Sequence, residues 1–154
     1  MKKPRVYVDT SVIGGCLDPE FSVWSNALLK DFELGFAKPV LSDLVTGELE
    51  RAPPAVRDKL TELMACSPEI VEVNEETRQL ARLYLARGVV PPSFSADAVH
   101  VACAMIAEVD ILVSWNYKHI VHWDKMRLFN AVGIEMGYRP IQILTPREVT
   151  FHDV

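Results

Sequence analysis

Asp9 stands in the run VYVDTSVI, one carboxylate among residues suited to the middle of a sheet. An isolated buried charge is strongly disfavoured, so Asp9 must be hydrogen-bonded, paired, used to cap the next turn or bound to a cation. Other acids recur along the chain: Glu48 and Glu50 in LVTGELE, and Asp97 in SADAVHVACA. A neutral oxygen donor, Asn116, follows the apolar run ILVS. Carboxylates gathered together repel unless a counter-charge is present, and hard oxygen donors of this kind suit Mg²⁺ or Mn²⁺. Such an ion polarises a phosphoryl oxygen, activates water and stabilises the departing oxygen. Thr10, Ser11 and Ser114 are placed to orient the acids through hydrogen bonds.

Each of these residues also has a plainer role. Asp97 complements a helix dipole, Asn116 turns the chain, and spacing alone does not choose between Glu48 and Glu50. His100, one turn after Asp97, reads first as a helix histidine with its hydrogen bonds satisfied.

The positioning elements can be read from periodicity. RVYV (5–8), KPVLS (38–42), EIVEV (69–73), DILVS (110–114) and IQIL (141–144) read as strands. Between the first two lies a helical recurrence of apolar residues ending near Gly35. DLVTGELE reads as a helical turn, and Pro54 opens the helix that follows. NEETRQLARLYLARG is a helix capped by Asn74 and stopped by Gly88, and SADAVHVACAMIAEV (95–109) is an apolar helix. WNYKHIVHWDK reads as a polar loop before a helix that ends near Gly137, and Thr145-Pro146 as the start of a terminal turn. Alternating strands and helices predict a three-layer α/β/α sandwich with a mainly parallel sheet. Its binding crevice lies beyond the carboxyl ends of the strands, a rim that one topology gives to Asp9, Glu48, Asp97 and Asn116 together.

The 154 residues predict a single domain, 1–154, and no stretch approaches the roughly 20 apolar residues of a membrane span. The basic start meets Asp9 too early for a signal peptide, so a cytoplasmic location is expected. Three widely spaced cysteines, Cys16, Cys66 and Cys103, make neither a zinc pattern nor a disulfide framework. A net charge of −5 argues against a broad duplex-binding face but leaves room for an acidic site that meets phosphates through cations. Lys118, His119, His122, Lys125 and Arg127, interleaved with Trp115, Tyr117 and Trp123, form a basic and aromatic stretch suited to single-stranded nucleic acid. The same aromatics serve equally well as core or as a dimer contact.

Four segments in order, YVDTSVIGG, LVTGELERAP, SADAVHVACA and ILVSWNYKHI, together with the GYRPIQILTPREV ending, resemble the motifs of the PIN-domain family, in particular the VapC-like toxins. The resemblance covers almost the whole chain. It implies a PIN-like fold and a Mg²⁺- or Mn²⁺-dependent endoribonuclease that leaves 5′-phosphate and 3′-hydroxyl ends. It also implies an RNA substrate, an antitoxin protein partner and a homodimer. By the resemblance, Asp9, Glu48 and Asp97 are metal ligands, and Asn116 occupies the family's fourth acidic position. That amide removes one negative charge, which weakens the case for a second metal. It also motivates the alternative of a non-cleaving PIN fold that binds RNA or protein. A phosphatase with an aspartate nucleophile fits less well, since Ser11 stands where a second acid is wanted and no Gly-rich phosphate loop with a lysine is present.

Overall fold

A computed structural model describes residues 2–149 and 151. Strand β1 (Arg5–Val8) lies at the centre of a five-stranded sheet, between β2 (Lys38–Ser42) and β4 (Ile111–Val113). The order is β3-β2-β1-β4-β5, with β3 at Glu69–Val71 and β5 at Gln142–Leu144, and every pairing is parallel. Central parallel strands are covered on both faces and are therefore apolar throughout, and Val6, Tyr7 and Val8 are all fully buried. Pro39 is tolerated inside this sheet because β3 begins pairing only at Val40, so the missing N–H falls where β2 has no second neighbour.

The strand order fixes where the helices go. Helices α1 (Thr10–Gly15), α2 (Ser22–Glu33), α3 (Asp43–Leu49) and α4 (Pro54–Met64) belong to crossovers that step from β1 to β2 to β3. The chain then reverses: α5 (Glu75–Ala86) and α6 (Ser95–Ile106) carry it back to β4, and α7 (Trp123–Glu135) onward to β5. Right-handed crossovers put the two sets on opposite faces. Accordingly α1 to α4 pack on one another, while α5 packs on α6 and α7. The expected α/β/α sandwich is observed, with a sheet that is wholly parallel.

The strands read as 69–73, 110–114 and 141–144 are each shorter, at three residues. Helix α7 begins at Trp123, inside the stretch expected to be loop. Helix α1 was not legible in TSVIGG, whose β-branched residues and glycines favour other conformations. It forms because Asp9 caps it, accepting from Val12 N. Gly35 and Gly88 end their helices at φ +80° and +71°, where a side chain would be strained. No helix among the described residues is long and apolar enough to cross a membrane.

Candidate active site

The direction of chain crossover reverses between β1 and β4, and their carboxyl ends open the crevice of this fold. Asp9 follows β1 directly and is buried, with 3% of its surface exposed. Its Oδ1 accepts from Ser11 Oγ at 2.6 Å and Val12 N at 3.3 Å, and its Oδ2 from Ser114 Oγ at 2.5 Å. Ser11 Oγ in turn accepts from Trp115 N, and Ser114 Oγ from Asn116 N. The two serines thus orient Asp9 and tie the start of α1 to the end of β4. Burial pushes the Asp9 carboxyl above its ordinary value, opposed by His100 and by these hydrogen bonds.

Glu48 comes from α3 and reaches the residue next to Asp9. Its Oε1 accepts from Thr10 Oγ1 at 2.8 Å and from His100 Nε2 at 2.7 Å. Donation from His100 holds Glu48 below the usual carboxylate value, against partial burial and with help from Thr10. Glu50, the other acid of the turn, is exposed at the carboxyl end of α3. His100 is buried, and its Nδ1 lies 2.9 Å from the Tyr7 hydroxyl, itself 2.8 Å from Ser42 Oγ. Burial, then Cys103, pushes the Tyr7 phenol well above its ordinary value, so it keeps its proton.

Asp97 sits in the first turn of α6, which enters from the same edge of the sheet. Its Oδ2 is buried and has no hydrogen-bond partner among the described residues. His119 Nδ1 lies 3.2 Å away as an ion-pair neighbour, out of alignment for a hydrogen bond. His119 is itself buried, with Phe94 against its ring at 4.0 Å between centroids. Asn116 Oδ1 accepts from His119 N at 2.9 Å, capping the turn that carries this histidine.

Two small clusters therefore share the rim: Asp9 with Glu48 through Thr10, and Asp97 with Asn116 through His119. No three His, Cys, Asp or Glu side chains among the described residues close into a group able to hold a metal ion. The donor chemistry nevertheless fits a hard divalent cation. It is all oxygen, and a buried carboxylate oxygen without a donor is what a cation or water would satisfy.

The basic stretch is divided. Lys118 is exposed, whereas His119 is buried against Asp97 and Lys125 Nζ donates to Val89 O at 2.5 Å. Arg127 lies over the exposed Trp123 ring, 4.5 Å from its centroid, and 4.0 Å from Asp124. Trp115 packs inside, stacked on Phe21 and donating from Nε1 to Ser25 Oγ. Tyr7 went unnoticed in the sequence. In a strand buried on both faces, nothing marks the hydroxyl that finds polar partners.

No protein-family model matches the sequence, and no curated protein matches it. Solved structures do. VapBC2 from Rickettsia felis, bound to a DNA fragment from their promoter, aligns over 92% of this chain and 98% of its own, with a TM-score of 0.58 and 13% identity. FitAcB from Neisseria gonorrhoeae aligns over 94% and 99%, with a TM-score of 0.59 and 15% identity. DNA-bound VapBC from Salmonella typhimurium aligns over 95% and 99%, at 0.54 and 17%. At these identities the likeness is one of fold, and it is the PIN-like fold that the motifs implied.

Proposed function

We propose that this chain is the toxin of a toxin–antitoxin pair, a Mg²⁺- or Mn²⁺-dependent endoribonuclease acting as one domain in the cytoplasm. The observation that carries the reading is Asp97 Oδ2, buried without a hydrogen-bond donor at the rim where β1 and β4 end. The fold of VapBC and FitAB chains supports it, and those complexes support an antitoxin as partner. The homodimer stays with the proposal as the resemblance implies it.

Asp9, Glu48 and Asp97 would hold the cation, which when bound polarises a phosphodiester and activates water. The chain's own residues prepare that role. Ser11 and Ser114 fix both oxygens of Asp9, and Thr10 fixes Glu48. Asn116 shapes the loop by capping its turn, and Lys118 offers a solvent-facing cation to RNA phosphates. An acidic rim also suits an antitoxin arginine, which pairs strongly with carboxylates.

The test is incubation of the purified protein with RNA and Mn²⁺. Cleavage to 5′-phosphate and 3′-hydroxyl ends, abolished by EDTA and by Asp97→Asn, is the expected result. Cleavage undiminished in either condition would rule the mechanism out. A non-cleaving PIN fold that binds RNA or protein is the second reading. It is favoured by the engagement of Asn116 Oδ1 as a cap and by the open arrangement of the acids. RNA binding with no Mn²⁺ affinity at millimolar concentration would select it.

A further inference from the structure

Glu48 is held through one oxygen. Both of its hydrogen bonds, from Thr10 Oγ1 and His100 Nε2, end on Oε1, and Oε2 receives none among the described residues. An ionised carboxylate only accepts, so Nε2 carries the proton of that 2.7 Å contact. Nδ1 lies 2.9 Å from the Tyr7 hydroxyl, which lies 2.8 Å from Ser42 Oγ, so a neutral ring protonated at Nε2 would accept from Tyr7 and Tyr7 from Ser42. Ser42 Oγ accepts from Val45 N at 3.4 Å as the cap of α3. These contacts run in sequence from Ser42 through Tyr7 and His100 to Glu48, with Cys103 beside both the Ser42 and the Tyr7 hydroxyls. Tyr7 and Ser42 are fully buried and His100 is 4% exposed, so water does not compete for these partners.

Resting on the metal-site reading above, we infer that His100 is a positioning residue: oriented by Tyr7 and Ser42, it pins Glu48 Oε1 and turns Oε2 toward the cation. The chain draws on β1, β2 and α6, three elements of the rigid interior, to fix a carboxylate from a fourth, the short helix α3. A carboxylate ligand held this way by an outer partner loses about 10- to 100-fold in metal affinity when the partner is removed. Thr10 alone, on the rim, leaves Glu48 free to rotate about that single hydrogen bond.

The experiment measures Mn²⁺ affinity without RNA, by electron paramagnetic resonance, in the wild type, Asp97→Asn, His100→Ala, His100→Gln and Tyr7→Phe. Ring-nitrogen NMR of His100 is recorded alongside in the metal-free wild type and Tyr7→Phe. We expect His100→Ala to weaken binding about tenfold or more. His100→Gln, whose amide can donate to Glu48, recovers most of it. Tyr7→Phe stays folded, binds severalfold more weakly, and loses the single Nε2-protonated tautomer expected of the wild type. Wild-type affinity in His100→Ala, in a series where Asp97→Asn has lost binding, overturns the positioning role. If His100→Ala does not fold, unchanged affinity and tautomer in Tyr7→Phe do the same. A wild type that binds no better than Asp97→Asn fails in the reference protein itself, which marks the metal-site reading as the fault and removes this inference with it.

Discussion

Ser114 Oγ donates to Asp9 Oδ2 at 2.5 Å, joining the ends of two adjacent parallel strands through a side chain rather than the backbone ladder. The bond stabilises a carboxylate that burial disfavours, and the balance leaves the Asp9 value raised. The folded protein thus binds this proton more tightly than the unfolded chain. The cost of ionising Asp9 is absent below the unfolded value, about 4, grows as pH rises above it, and is complete once pH has passed the folded value. Asp9→Asn removes that cost, and the serine hydroxyls can reorient to serve the amide. In EDTA the variant should melt higher than the wild type at pH 7, by about 3 °C for a gain on the order of 1 kcal/mol, and this advantage should shrink toward pH 4. Mn²⁺ binding should be lost in the same variant. An equal or lower melting temperature at pH 7 would contradict the assignment of strain to this carboxylate.

Gly15, at the end of α1, has no room for a methyl group. A Cβ there would lie 2.7 Å from both Ser25 Oγ and Trp115 Nε1, atoms that are hydrogen-bonded to each other in the core. Neither has room to retreat, because Ser25 is fully buried and Trp115 is buried and stacked on Phe21. Gly15→Ala should destabilise by about 1–3 kcal/mol in urea unfolding. Relief of the clash by Ser25→Ala in the double variant should return part of the loss, and strict additivity would show that the contact does not matter.

Much of this architecture could be read in the residues because local signals agreed with the global fold. Asn74 caps α5 in a reciprocal capping box, Pro54 opens α4, and the apolar runs mark buried parallel strands. Asp9 and Asn116 follow the carboxyl ends of β1 and β4, while Glu48 and Asp97 reach them from helices through Thr10 and His119. What escaped depends on long-range partners. Helix α1 exists through a cap that its composition conceals, and the pairing of Asp97 with His119 joins residues from an α6 turn and a post-β4 loop. Histidine and lysine in a basic run look alike in sequence. Packing alone separates the buried His119 and tethered Lys125 from the solvated Lys118.

That separation predicts different phenotypes for two lysines. Lys118 is exposed, so Lys118→Ala should weaken RNA binding and lower the slope of log affinity against log salt by about 0.7, the share of one phosphate contact on a single strand. Lys125 instead bonds the Val89 carbonyl just beyond the Gly88 stop of α5. Lys125→Ala should leave the salt slope nearly unchanged and cost on the order of 1 kcal/mol of stability. Titration of a fluorescent RNA oligonucleotide over a salt series, beside thermal melting, separates the two, and a reversed pattern would exclude this division of the stretch.

Arg5 provides the corresponding test at the opposite edge of the sheet. Its guanidinium pairs with Glu69 through contacts of 2.7–3.1 Å and donates to the carbonyls of Ala107 at 2.7 Å and Glu108 at 3.1 Å. It thereby ties β3 to the carboxyl end of α6, the helix whose first turn carries Asp97. Lysine cannot reproduce a planar fork that serves two carboxylate oxygens and two carbonyls at once. Both Arg5→Ala and Arg5→Lys should therefore lose stability, the alanine variant by about 2 kcal/mol because the charged hydrogen bonds are partly shielded from water. Mn²⁺ affinity of the folded fraction should not change, since the bridge lies at the amino edge and the acids at the carboxyl edge. A loss of affinity at temperatures where the variant is fully folded would mean that the position of α6, and not only its attachment, depends on Arg5.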